Sequence, residues 1–168
     1  MIYRFMKRGF TLLLAEDDEN DILLFEHALT MSAQKAALPI RLEVTRGGEE
    51  AILYFKGQGD FCDREKHPLP DIFVTDLKMS GLSGFDVLAW LKRHEEFQRL
   101  PKIVMSASCM DSDIDQAYRL GANTFFKKPT NLKELAELIY CIVCYWSCTE
   151  KSVIRQPRSE TAISPRTP

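Results

Sequence analysis

TLLLAEDDEN, residues 11–20, carries an apolar run straight into three carboxylates, Glu16, Asp17 and Asp18. The run TLLLA has the length of a buried strand rather than a helix, and its abrupt end marks where that strand leaves the core. Like charges crowded at such an end repel one another. Either a cation gathers there, or the acids simply decorate the start of the next helix, where the macrodipole favours them. The rest of the chain decides between the two.

Beyond the acids, Ile22, Phe25 and Leu29 recur at helical spacing, which predicts a helix over 20–31. Ile40, Leu42 and Val44 alternate with polar residues and read as a strand. Gly47-Gly48 breaks the chain before a helix over 49–56 (EEAILYFK). The segment 57–70, GQGDFCDREKHPLP, has loop chemistry. DIFVTD (71–76) is a second buried strand type, and LSGFDVLAWLKRHEE (82–96) is amphipathic, with Val87, Leu88 and Leu91 predicted inward. KIVMSA (102–107) is a strand. Ile114, Ala117, Tyr118 and Leu120 mark a helix expected to be capped by Gly121. NTFFKKP (123–129) is a strand stopped by Pro129, and a last helix runs from Leu132 to Trp146. Strand and helix thus alternate five times, the pattern of a parallel sheet with helices on both faces.

In such sheets, ligands sit beyond the carboxyl ends of the strands. That rule collects Glu16, Asp17 and Asp18 after the first strand, Asp76 after the third, Ser106 at the end of the fourth and Lys127-Lys128 at the end of the fifth. Carboxylates beside a hydroxyl and an ammonium suit a hard divalent ion and phosphoryl oxygens. A carboxylate in that setting is a known nucleophile that forms aspartyl-phosphates.

Composition sets the outer limits. The 168 residues are 45% hydrophobic and 27% charged with a net charge of -2, ordinary for one globular domain with tails. There is no basic excess of the kind nucleic acid binding needs. The start, MIYRFMKRGFTLLLA, resembles a secretion signal, but its apolar part is shorter than the usual 7–15 residues and runs into acids. No stretch approaches the roughly 20 apolar residues of a membrane span, so a cytoplasmic protein is expected. The five cysteines form no even framework, which suits a reducing compartment. Cys141, Cys144 and Cys148 fall on one face of the last helix and are expected to pack inside it. Residues 1–9 are read as an N-terminal extension, 10–147 as the folded domain and 148–168 as a disordered tail carrying Lys151, Arg155, Arg158 and Arg166.

E16-D17-D18, VTDLKMSGLSGFDVL around Asp76, IVMSAS around Ser106 and FFKKP ending at Pro129 resemble, together and in order, the receiver domain of two-component response regulators. The resemblance spans residues 10–146. It implies a flavodoxin-like, doubly wound five-stranded parallel sheet in the order 2-1-3-4-5 with five helices. It implies Asp76 as phosphoacceptor, and Mg²⁺ or Mn²⁺ bound by Asp17, Asp76, the Lys78 carbonyl and, partly through water, Glu16. Ser106 and Lys128 are implied to contact the phosphoryl group, Lys128 being preferred to Lys127 because it directly precedes Pro129. Phe125 takes the place of the aromatic switch that follows Ser106, and Gly84 that of the glycine opening the third helix. The Lys78 side chain is placed to tune the phosphoryl lifetime.

Two departures stand out. Ser80 replaces a frequent proline, which is expected to loosen its loop, and Phe125 lacks the hydroxyl of a tyrosine. An aspartyl phosphatase acting on external substrates would want an acid where Lys78 stands, and a flavodoxin would want glycine or hydroxyl residues where the acids stand. With no second domain visible after Trp146, a stand-alone receiver is expected, phosphorylated by a sensor histidine kinase or phosphotransfer protein. It is read as a self-phosphorylating and autodephosphorylating signalling protein rather than an enzyme. The apolar LIYCIVCYW (138–146) predicts a homodimer through helix 4, strand 5 and helix 5, and the 57–70 insertion is similar to that of phytochrome-associated response regulators.

Overall fold

The computed structural model describes residues 10–149; the 1–9 extension and the tail from residue 150 lie outside the described residues. Strands β1 (Phe10–Ala15), β2 (Ile40–Thr45), β3 (Ile72–Thr75), β4 (Lys102–Ser106) and β5 (Thr124–Lys127) alternate with helices α1 (Glu19–Ala36), α2 (Gly48–Lys56), α3 (Gly84–Arg93), α4 (Asp111–Arg119) and α5 (Leu132–Ser147). The strands form one parallel sheet in the order β2-β1-β3-β4-β5. This is the flavodoxin-like arrangement expected.

β1 explains the two-sided packing. Its side chains alternate across the sheet. Leu12 and Leu14 join Phe25, Leu29, Leu135, Ile139 and Val143 on the α1–α5 side. Leu13 and Ala15 join Ala51, Tyr54, Val87 and Leu91 on the α2–α3 side. Each fully buried leucine contributes about 1.5–3 kcal/mol relative to exposure, and both faces of the central strands are filled in this way. β2, at one edge, keeps Arg41 exposed.

Two local readings need correction, the end of α1 and the cysteines of α5. α1 runs five residues past its expected end, because Ser32, which breaks the apolar pattern, is buried with its one hydroxyl proton shared between the carbonyls of Ala28 and Ala136 (2.7 Å each). α4 ends at Arg119 and is stopped by Gly121 as expected: its left-handed backbone (φ +94) follows the cap residue Leu120, and the N–H groups of Gly121 and Ala122 donate to the carbonyls of Tyr118 and Ala117 (3.0 Å each). The cysteines of α5 are not packed inside: Cys141 and Cys148 are exposed and Cys144 is half-buried, since Leu135, Ile139, Ile142 and Val143 already fill the inward face.

The 57–70 segment is a tied structure and not a loose loop. It contains a single 3₁₀ turn at Gly59–Phe61. The Tyr54 hydroxyl donates to the Pro68 carbonyl (2.6 Å), and the Arg64 guanidinium donates to the carbonyls of Phe55 (2.8 Å) and His67 (3.2 Å). His67 Nδ1 meets Glu43 Oε2 at 2.8 Å, fastening the segment beside edge strand β2. No helix among the described residues is long and apolar enough to cross a membrane.

Lys102 opens β4 with its ammonium buried, donating to the carbonyls of Leu100 (2.7 Å), Phe97 (3.1 Å) and Gln98 (3.3 Å). Burial lowers its pKa from 10.5 to about 8. Between those values the unfolded chain holds more protons than the folded one, so this residue makes stability rise with pH across that window. Urea unfolding of the wild type should show that rise between pH 8 and 10.5, and Lys102→Met should remove it.

Candidate functional site

The sheet's backbone ladder extends one residue past three strand ends and so places the reactive side chains. The Glu16 N–H donates to the Thr45 carbonyl (3.0 Å), the Asp76 N–H to that of Ala15 (3.1 Å) and the Lys128 N–H to that of Ser106 (2.9 Å). Glu16, Asp76 and Lys128 therefore converge at the carboxyl edge, where α/β sheets bind ligands.

The Lys128 ammonium is the centre of the group. It lies 2.5 Å from Glu16 Oε2, 2.6 Å from Asp21 Oδ2 and 3.5 Å from Asp76 Oδ2. Glu16 and Asp76 are buried, 3% and 8% exposed. Burial alone would lower the Lys128 pKa, but hydrogen bonds to the Asp21 and Glu16 carboxylates and the nearby charge of Asp76 more than offset it, so the net shift is upward. Glu16 is also raised: burial is the largest cause, the Asp76 charge adds to it, and Lys128 only partly opposes it. Lys127, the alternative lysine, is exposed; successive residues of an extended strand point to opposite sides, and only Lys128 reaches the acids.

Asp76 is held by its own loop. Its Oδ1 accepts from the backbone N–H of Leu77 (2.5 Å) and of Lys78 (3.3 Å), which leaves Oδ2 facing Lys128. Gly84 opens α3 directly against this loop. A Cβ there would stand 2.0 Å from the Asp76 carbonyl oxygen, so no other residue fits without moving the loop. Ser83 caps α3 in a capping box with Asp86, which fixes the far end of the same turn.

Asp17 takes a separate position. Its Oδ2 accepts from the Ser80 backbone N–H at 2.7 Å, and that bond is the main reason its pKa falls below the usual carboxylate range. The serine expected to loosen the loop does the opposite: a proline would have no N–H to give. Asp18 turns away from the group and caps α1, accepting from the N–H groups of Asn20 and Asp21. The helix-start explanation thus holds for one of the three acids. Ser106, 1% exposed, closes β4 and is tied to Lys128 through its carbonyl. Phe125, half-buried on β5, packs against the Leu77, Leu88, Val104, Ala117 and Ala122 cluster, and its N–H donates to the Tyr118 hydroxyl (3.3 Å).

Asp21 was not picked out by sequence. Its signal was present: it stands four residues after Asp17, on the opening turn of the helix that Asp18 caps.

The response regulator receiver domain family matches residues 12–140. The chain belongs to that family. It is similar to the response regulator Rcp1 of Synechocystis, 29% identical over 135 residues covering 80% of this chain and 87% of Rcp1. Among solved structures it resembles a response regulator in red light signaling of R. palustris, with 32% identity, a TM-score of 0.72 and coverage of 82% and 93% of the two chains. The phosphorylated cyanobacterial phytochrome response regulator RcpA gives 29% identity, a TM-score of 0.74 and 83% and 94% coverage. The Mn²⁺-bound form of Rcp1 gives 28%, 0.72, and 84% and 97%.

Among the described residues, no three His, Cys, Asp or Glu side chains stand together as a ready metal cage. The donor chemistry nevertheless suits a hard divalent ion. Four carboxylates, Glu16, Asp17, Asp21 and Asp76, share one edge of the sheet with the Lys128 ammonium, and an oxygen-rich set of this kind is what such an ion takes.

Removing the ammonium should expose that imbalance. Lys128→Met leaves Glu16 and Asp76 buried without a counter-charge and should cost about 3 kcal/mol at pH 7. Losing Lys128 raises the folded-state pKa of Glu16 further above its unfolded value. The penalty should therefore be small below pH 4.5 and grow as pH rises through the folded pKa. Urea titrations at pH 5 and pH 7 measure the difference.

Proposed function

We propose that this receiver takes a phosphoryl group from a sensor histidine kinase or phosphotransfer protein onto Asp76 and signals through protein contacts. The observation that carries the reading is the Lys128 ammonium 3.5 Å from Asp76 Oδ2, the acceptor oxygen left free by the backbone bonds to Oδ1.

Asp76 Oδ2 attacks phosphorus in line. The new O–P bond forms as the P–N bond of the donor phosphohistidine breaks, and the imidazole leaves with the electron pair. Phosphoryl transfer is mostly positioning and charge stabilisation. Lys128 supplies positive charge to the phosphoryl oxygens. Mg²⁺ or Mn²⁺, held by Asp17, Asp76, the Lys78 carbonyl and Glu16 partly through water, would add further charge there. The acyl phosphate carries more negative charge and more acceptor oxygens than the carboxylate it replaces. The Ser106 hydroxyl is drawn toward it, and Phe125 follows into the space behind, which biases the surface made by α4, β5 and α5. Water attack at phosphorus breaks the same O–P bond and restores Asp76, with the exposed Lys78 side chain beside its approach.

That surface is also the proposed contact with a second copy. α5 buries one side against α1 and the sheet, while Tyr145 is 65% exposed and Cys141 is exposed. With Phe126, Leu138 and Trp146 they line an open groove beside β5. The similarity to phytochrome response regulators supports a light-sensing kinase as donor class.

Incubation with acetyl phosphate and Mg²⁺ tests the reading. Intact mass should show one phosphoryl group on the wild type and none on Asp76→Asn, and size-exclusion chromatography should show the wild type as a dimer. A wild type that stays unmodified at every donor concentration and time would instead mark a constitutive binding scaffold.

A further inference from the structure

We infer that Asp21 is a positioning residue that holds Lys128 back from the phosphoryl group and thereby sets how much donor the switch needs. The inference rests on the phosphoacceptor reading of Asp76 and goes beyond it, since Asp21 belongs to none of the motifs that carry that reading.

The geometry is specific. An ammonium has three protons to donate. In this structure its short bonds go to Glu16 (2.5 Å) and Asp21 (2.6 Å), while Asp76 Oδ2 stands off at 3.5 Å. Lys128 is therefore better paired with its two holders than with the acceptor. The backbone of Asp21 is anchored in the first turn of α1, its N–H bound to the Asp18 carboxylate that caps the helix (3.1 Å). Glu16 is buried at the strand end, but the Asp21 side chain is 39% exposed and the Lys128 side chain 15%. The Asp21–Lys128 bond is thus the more solvent-competed of the two and the one more readily exchanged for another anion.

An arriving phosphoryl group must compete with Asp21 for the ammonium. It must also approach the negative charge that Asp21 adds to an edge already carrying Glu16, Asp17 and Asp76. Both effects act on occupancy in the same direction. A carboxylate at the start of a helix also stabilises that helix, so a purely structural role for Asp21 would appear in melting temperature and not in donor demand.

The test measures the fraction of full-length protein phosphorylated at steady state, by intact mass, across an acetyl phosphate series in Mg²⁺. Asp21→Asn should reach half-occupancy at about threefold less donor than the wild type, the scale of a partly exposed ion pair. Asp21→Glu, which keeps the charge, should stay near the wild type. Melting curves accompany each variant, and if Asp21→Asn is poorly folded, Asp21→Ser replaces it in the same comparison. A wild type that is phosphorylated while the neutral variants need equal or greater donor overturns the inference and leaves the phosphoacceptor reading intact. A wild type that is never phosphorylated overturns both.

Discussion

One ammonium inside a ring of carboxylates organises this molecule's carboxyl edge. Lys128 meets Glu16 and Asp21 from the β1–α1 junction and, more distantly, Asp76 from the end of β3. Pairing at these distances is worth having only because Glu16 and Asp76 are buried, where an uncompensated charge is costly. The sheet makes the meeting possible. Parallel strands β1 and β3 are adjacent, and each is followed at once by an acid; β5 is followed at once by the lysine. A slip of one residue in any of those registers would turn the side chain to the opposite face.

Rigid surroundings support this arrangement. The fully buried leucines of β1 fix the first strand against helices on both faces. Gly84 lets α3 begin in contact with the Asp76 carbonyl, so the Asp76 loop is braced by a helix start. The N–H groups of Leu77 and Lys78 then hold one carboxylate oxygen and present the other. Preorganisation of this kind matters for phosphoryl transfer, where geometry and charge do most of the work.

The fold was legible because strand and helix periodicities differ and alternate cleanly; every strand and helix of the sheet was visible as an apolar run or a 3.6-residue pattern. The convergence of Glu16, Asp76 and Lys128 at one edge was legible because strand ends in an α/β sheet are predictable places. What the sequence hid was specific pairing. The helix was read to end at residue 31 because Ser32 does not continue the apolar spacing, and only the structure shows its hydroxyl between two carbonyls. The α5 cysteines looked like packing residues because composition does not reveal which face a crowded helix turns inward. Ser80 looked like a loss of stiffness because only the folded loop shows its N–H reaching Asp17. Asp21 was one acid among several on a polar helix start, and only the structure brings Lys128 to it.

Ser80 and Asp21 together give the resting site its character. Two of the groups the proposed chemistry needs, Asp17 and Lys128, each hold a partner that has no part in that chemistry: a backbone N–H in one case and a helix-start carboxylate in the other. One partner is backbone at the Ser80 turn and the other a side chain on the first turn of α1. On the proposed chemistry, a divalent ion would have to displace the Ser80 N–H from Asp17, and a phosphoryl group would have to compete with Asp21 for the Lys128 ammonium.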